Sequence, residues 1–101
     1  MIKNKSSQKE RKIKAIYSGE TVSSDTKEAV DLYSKSRFGE SKDGRILYSL
    51  VEVMYLLEKD KMNITDGKKN KINLNGFKVR ARKDEPNFMI RYAVFKNLRE
   101  R

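Results

Sequence analysis

The chain has 101 residues, 37% hydrophobic and 38% charged, and a formal net charge of +10. That length allows one domain burying about two-thirds of its unfolded surface, so the core must be small and the surface strongly ionic. With no cysteine and no histidine, disulfides, thiolate metal sites and the usual general acid/base near neutral pH are excluded, and the excess of Lys and Arg fits equally an anionic partner, nucleic acid first, and a generally Lys-rich surface.

No apolar run approaches the roughly 20 residues that span a bilayer, and no apolar signal region follows the Lys-rich start. A cytoplasmic protein without a membrane partner is expected. Residues 1–12 carry Lys3, Lys5, Lys9, Arg11 and Lys12 against Glu10 alone, which reads as a basic flexible arm. Order is expected from Ile13. Ile13, Ala15 and Tyr17 alternate with polar positions apart from Ile16, and Ser18-Gly19-Glu20 makes a turn into Thr21-Val22-Ser23, a short hairpin. Ser24 or Asp25, with Glu28 beyond, is placed to cap a helix whose inner face is Ala29, Leu32, Tyr33 and Ser36, ended by Gly39. Asp43-Gly44 is a second turn.

The clearest passage is "RILYSLVEVMYLLEKDKMNI". Ser49 and Glu52 have capping-box spacing, in which each side chain satisfies a free backbone N–H at the other residue. Leu50, Val53, Met54 and Leu57 follow at helical spacing, and Val51, Tyr55 and Leu56 widen the face until the helix is apolar most of the way round. Such a helix is central, packed on more than one side. Met62 to Thr65 reads as a strand and Asp66-Gly67 as a tight turn. In "GFKVRAR", Phe77, Val79 and Ala81 alternate like a strand, while Leu74, Phe77 and Ala81 also fit a helix; periodicity leaves both open over so few residues. The chain closes on "MIRYAVFKNLRER", where Phe88, Tyr92, Phe95 and Leu98 share a helical face behind Pro86, a residue suited to a first helical position. No Gly or turn follows Arg99, Glu100 and Arg101, so this apolar face is expected to meet something outside these residues.

Three of these passages carry a resemblance. "AVDLYSKSRFGE", "YSLVEVMYLLEKDKMNI" and "RYAVFKNLRER" resemble, in order and spacing, the "LYxKSxFG", "LSLVEALYLLEKGKLxV" and "YxVYxDLRxRGY" segments in the N-terminal part of archaeal tRNA-splicing endonucleases. The likeness spans residues 14 to 101. The fold expected is α+β: a small mixed or antiparallel sheet of about four short strands with three to four helices, the last leading toward a catalytic domain. The implied division is an arm over 1–12, an N-terminal domain over 13–86, and a helix over 87–101 that begins or docks onto the catalytic domain. The resemblance favours helix for Leu74 to Lys83, although Gly76 is a poor helix residue, and relatives carry an acidic segment where "NGFKVRARKDEP" is basic.

In the family, the catalytic domain holds a Tyr, His and Lys triad that cleaves precursor tRNA at bulge-helix-bulge sites without metal, leaving a 2′,3′-cyclic phosphate. Attack by a 2′-OH needs a base, an acid for the leaving oxygen and a cation for the developing charge. The five tyrosines, Tyr17, Tyr33, Tyr48, Tyr55 and Tyr92, do not readily supply both proton-transfer roles, and each fits a core or edge position. No catalytic, cofactor-binding or metal-binding residue is therefore assigned. The resemblance implies a non-catalytic structural subunit or domain whose partners are the catalytic subunit or domain and precursor tRNA, in a two-fold hetero- or homo-oligomer. Phe88, Tyr92, Phe95 and Leu98 are the candidate partner interface. Lys78, Arg80, Arg82 and Lys83 are candidate RNA phosphate contacts, although a basic run is more often a solvated face. The competing reading is a free-standing basic RNA- or DNA-binding module, which a steep loss of affinity with salt would mark.

Overall fold

The computed structural model describes residues 12–19 and 21–100; the basic arm before Lys12 and Glu20 of the first turn lie outside the described residues. Alternation of Ile13, Ala15 and Tyr17 with Lys14, Ile16 and Ser18 makes strand β1 (Ile13–Ser18), with the first set buried and the second exposed. β1 turns back into β2 (Thr21–Ser24), and helix α1 (Lys27–Ser36) follows. Its N-cap is Thr26, whose hydroxyl accepts from the Ala29 N–H at 3.3 Å. Neither Ser24 nor Asp25 takes that role, because the Ser24 hydroxyl donates instead to the Lys14 carbonyl at 2.7 Å across the hairpin. The helix ends before Gly39, at Arg37, which adopts a left-handed conformation with its N–H on the Tyr33 carbonyl.

β3 (Glu40–Lys42) and β4 (Arg45–Tyr48) flank the Asp43-Gly44 turn. The capping box then launches α2 (Leu50–Glu58): the Ser49 hydroxyl accepts from the Glu52 N–H, and the Glu52 carboxylate accepts from the Ser49 N–H at 2.9 Å. The other oxygen of that carboxylate accepts from the Gly39 N–H at 2.9 Å, tying the cap to the loop after α1. β5 (Met62–Asp66) and β6 (Lys71–Ile72) precede α3 (Leu74–Asp84) and α4 (Phe88–Arg99). The ambiguous stretch is thus a helix, capped by the Asn73 side chain, which accepts from the Gly76 N–H at 2.8 Å. Pro86 lies in the turn between α3 and α4, and α4 starts two residues later at Phe88.

The six strands form one sheet in the order β3-β4-β2-β1-β5-β6. β1 and β5 run parallel at its centre, Ile13 beside Met62 and Tyr17 beside Asp66, and every other pairing is antiparallel. The class is the α+β expected, with six strands rather than about four. Strands as short as β3, three fully exposed residues, and β6, only two, carry no pattern to read. The inward residues of every strand but β3, among them Val22, Ile46, Met62, Ile64 and Ile72, join the helix residues Val53, Met54, Leu56 and Phe77 in one core. α2 sits at the centre of the helical layer and contacts the sheet, α3 and α4, as an almost wholly apolar helix requires. Among the described residues, no helix is long and apolar enough to cross a membrane.

A chain of aromatic rings crosses this layer. Tyr17 of β1 meets Phe77 of α3 at 5.7 Å between centroids, Phe77 meets Phe88 of α4 at 6.0 Å, and Phe88 meets Tyr92 at 6.2 Å. Tyr92 then meets Phe95 at 6.5 Å, Phe95 meets Tyr55 of α2 at 5.9 Å, and Tyr55 stacks on Phe38 at 5.7 Å. These separations lie in the favourable range for offset and edge-to-face pairs.

Among the glycines, the closest approach of neighbouring atoms is at Gly39. Its φ is +90°, and a Cβ there would lie 2.3 Å from Ile46 Cγ2 and 2.9 Å from the Leu47 carbonyl oxygen. Gly39→Ala combines an unfavourable backbone conformation with overpacking and is expected to destabilise the domain by about 3 kcal/mol or more, read as a lower denaturation midpoint; an unchanged midpoint would show that this loop does not constrain β4.

Candidate functional site

α4 presents two different faces. At about 100° per residue, Phe88, Tyr92 and Phe95 stay within about 40° of one direction on the helix, while Leu98 has drifted about 80° from Phe88. The structure follows that arithmetic: Phe88 and Tyr92 are buried in the chain's own core, Phe95 is half-buried, and Leu98 is 60% exposed. Of the four residues expected to meet a partner, two are therefore occupied internally. A second set, of which the sequence reading named only Leu98, points outward. Ile90, Val94 and Leu98 are 69%, 57% and 60% exposed and recur at i, i+4 and i+8. They form a stripe centred about 130° round the helix from the core face, with Ile90 farthest from it and Leu98 at its flank. The signal was available as a second helical period in "IRYAVFKNL", masked by the larger aromatic residues of the first.

Polar contacts fix α4 against the end of α2. The Tyr92 hydroxyl donates to Glu58 Oε1, and Lys96 Nζ approaches the same oxygen at 3.3 Å. Lys59 pairs with Glu100 at 2.8 Å, and Arg91 pairs with Glu85 at 2.8 Å. The Arg99 guanidinium lies 4.0 Å from the centre of the Phe38 ring, closing the far end of the aromatic chain. The hydrogen bond from Tyr92 is the main reason the Glu58 carboxyl sits below its ordinary pKa, with Lys96 and Lys78 adding to it. Burial, then the Glu58 carboxylate, pushes the Tyr92 phenol upward.

The four basic candidates on α3 also separate. Relative to the inward residues Phe77 and Ala81, Lys78 and Arg82 lie on one flank of the helix, and Arg80 and Lys83 on the other. Lys78 is half-buried and close enough to Glu58 to act on its charge. Arg80 places its guanidinium 5.9 Å from the centre of the Tyr17 ring. With Tyr17, Gly19, Lys83 and Asp84 it lines a hollow of about 350 Å³ beside the β1–β2 turn. Asp84 is engaged there, accepting from the Tyr17 hydroxyl at 2.7 Å. A larger hollow of about 560 Å³ lies between α1 and the α2–β5 turn, where Lys27, Lys35 and Lys61 line it beside the paired Lys12 and Asp60. Tyr17, Tyr48 and Tyr92 are buried, and Tyr33 and Tyr55 half-buried, so every tyrosine is a packing residue.

The geometry defines a small α+β domain with all its helices on one face of a mixed sheet and an outward apolar stripe on its last helix. Residues 13–77 match the family described as the N-terminal domain of tRNA intron endonuclease. The tRNA-splicing endonucleases of Thermococcus onnurineus and Thermococcus kodakarensis are each 36% identical to it over 85 residues, covering 83% of this chain and 49% and 50% of those proteins. That of Methanosarcina mazei is 39% identical over 77 residues, covering 74% of this chain and 21% of that protein. The match covers more than half of the chain, and the chain belongs to the tRNA intron endonuclease N-terminal domain family. It spans about half the length of its Thermococcus relatives.

Glu58 gives the domain an acid-sensitive limb. Its folded-state pKa is depressed, so its contribution is present above the ordinary carboxylate pKa and is lost as pH falls through the lower folded value. Stability should therefore decline below about pH 4.5. Glu58→Gln should flatten that decline in thermal melts taken between neutral and acid pH; a decline as steep in the variant as in the parent would assign it to other carboxylates. In the same assay, Phe88→Ala is expected to cost about 3–5 kcal/mol and Leu98→Ala about 0.5 kcal/mol or less.

Proposed function

We propose that this chain is the non-catalytic N-terminal part of a tRNA-splicing endonuclease, and that α4 is its seam with the catalytic half. In this reading residues 13–86 form the structural domain, and the helical end over 87–101 is shared with a catalytic domain carried by the same or a separate chain. The assembly is a two-fold oligomer that excises introns from precursor tRNA in the cytoplasm, at bulge-helix-bulge sites and with 2′,3′-cyclic phosphate products.

The observation that carries this proposal is the exposed stripe of Ile90, Val94 and Leu98 on a helix that already gives another face to the core. A helix apolar on two sides is suited to burial on two sides. Family membership supports the identity of the second side, as does the span of about half the Thermococcus relatives' length. The chemistry is consistent with it. Self-cleavage of RNA by its own 2′-OH requires a paired base and acid, and the sequence holds no histidine, so the reacting groups belong to the catalytic half. The contribution of this chain is then positional, holding the oligomer in the geometry that presents two cleavage sites to one substrate.

The test is association. The chain mixed with the catalytic portion of a splicing endonuclease from the same organism should give a salt-tolerant complex by light scattering, one that cleaves precursor tRNA. Val94→Asp should abolish the complex while changing the denaturation midpoint little, since Val94 is 57% exposed. A complex that survives Val94→Asp, Ile90→Asp and Leu98→Asp alike would remove α4 as the seam. A bare monomer released from nucleic acid by salt, with no protein partner, would favour the free-standing basic module instead.

A further inference from the structure

The parallel pairing of β1 with β5 sets Tyr17 beside Asp66, so the β1–β2 and β5–β6 turns leave the sheet at the same end. α3 brings Arg80 to that end as well, over the Tyr17 ring, with Lys83 on the same flank. Cations far apart in sequence are thereby carried to that end: Lys68 and Lys69 in the β5–β6 turn, Arg80 and Lys83 on α3, and Lys71 on β6, on the strand face away from the buried Ile72. None of these five is in an ion pair among the described residues, whereas Lys12, Lys59, Arg91 and Lys96 elsewhere are each held by a carboxylate.

The three carboxylates described at this end are turned to structural work, Glu85 by pairing with Arg91. Asp66 accepts from the Lys68 N–H at 2.8 Å and the Asn70 N–H at 2.9 Å, closing the turn and leaving both lysine side chains exposed. Asp84 accepts from the Tyr17 hydroxyl. Among the described residues, five cations against three carboxylates leave this end net positive. The residues around the hollow supply no exposed apolar anchor: Tyr17 is 3% exposed, and Gly19 has open space beside it. Protein interfaces are depleted in Lys at their cores and rely on buried apolar anchors, while phosphate backbones are held by Lys and Arg without them.

From this convergence we infer that the end of the sheet formed by the β5–β6 turn, Lys71, Arg80 and Lys83 is a surface for the phosphate backbone of RNA. Arg80, steadied over Tyr17, directs a planar donor fork into the hollow, and Lys68, Lys69 and Lys71 extend the contact along the strand ends. Lys78 and Arg82, on the other flank of α3, take no part. Such contacts orient a folded RNA without reading its sequence. The inference uses the charge geometry alone and does not depend on the α4 seam.

The measurement is the affinity of the chain for an RNA hairpin with an unbroken stem, across about 50 to 200 mM salt. Replacing Lys68, Lys69, Arg80 and Lys83 together by Ser should weaken binding roughly tenfold or more and reduce the slope of log affinity against log salt by about three. A charge-matched set on the other hollow and the sheet edge, Lys27, Lys35, Lys42 and Lys61 to Ser, should weaken it much less. The double variant K68S/K69S, confined to an exposed turn, and Arg80→Lys, which keeps the charge, separate loss of contact from loss of fold. Equal losses for the two sets, or no measurable binding by the parent chain, would overturn the inference. So would binding to phosphatidylglycerol vesicles of the same strength and the same mutational pattern. Failure here would leave the α4 association intact, and failure of that association would leave this RNA binding intact.

Discussion

The fold depends on one continuous line of aromatic contacts, from Tyr17 on β1 to Phe38 after α1. No two neighbours in that line are more than 6.5 Å apart. The line visits the sheet, α3, α4 and α2 in turn, so no helix of this group moves independently of the others. A core with little aliphatic volume to spare gains from this arrangement, because aromatic rings bury more area per residue than Leu or Val and add a directional ring–ring term. It also makes α4 integral: Phe88 and Tyr92 are 0% and 5% exposed. Removing α4 would open a row of rings to water.

The same line explains where the polar groups go. Two of its phenols, Tyr17 at one end and Tyr92 in the middle, each donate to a carboxylate, Asp84 and Glu58 respectively. A buried phenol gains from such a partner, and each pair staples one helix end to another element. Lys59 with Glu100, Lys96 with Glu58 and Arg99 over Phe38 then hold the rest of α4 in place. Carboxylates are outnumbered in this chain, 14 against 24 cations. Because so many of them close caps, turns and staples, the uncompensated cations are left in particular places rather than spread evenly, and the end of the sheet near Arg80 is one such place.

What the sequence disclosed follows the range of each interaction. The Ser49 and Glu52 cap was legible because both partners lie within one turn, and the breadth of α2's apolar face announced a central helix. The first helix's cap was misplaced by one or two residues because the Ser24 hydroxyl is claimed by the Lys14 carbonyl, a contact set by the hairpin register. β3 carries no apolar signal at all and exists by pairing with β4. For Leu74 to Asp84, alternation and helical spacing coincide over seven residues. The Asn73 cap tips the balance, and Gly76 is accommodated because a Cβ there would crowd the capping oxygen at 3.2 Å. The basic run could be counted from the sequence, but its partition onto two flanks of α3 required the helix phase.

The stripe on α4 sets a lower bound on the surface that covers it. A specific interface must clear about 1,000 Å², and three aliphatic side chains on one helix fall well short of that. A partner that buries Ile90, Val94 and Leu98 therefore has to extend past them. Met89, 40% exposed, and Val79, 67% exposed on α3, are the remaining exposed large hydrophobic residues on the last two helices. An interface that rests on a short apolar strip and continues over charged residues is weak on its own and strengthened by connection. Linking the two halves in one chain, or repeating the contact by two-fold symmetry, raises the effective concentration of the second contact without any new residue. A domain with this helix is accordingly better suited to an assembly than to free association.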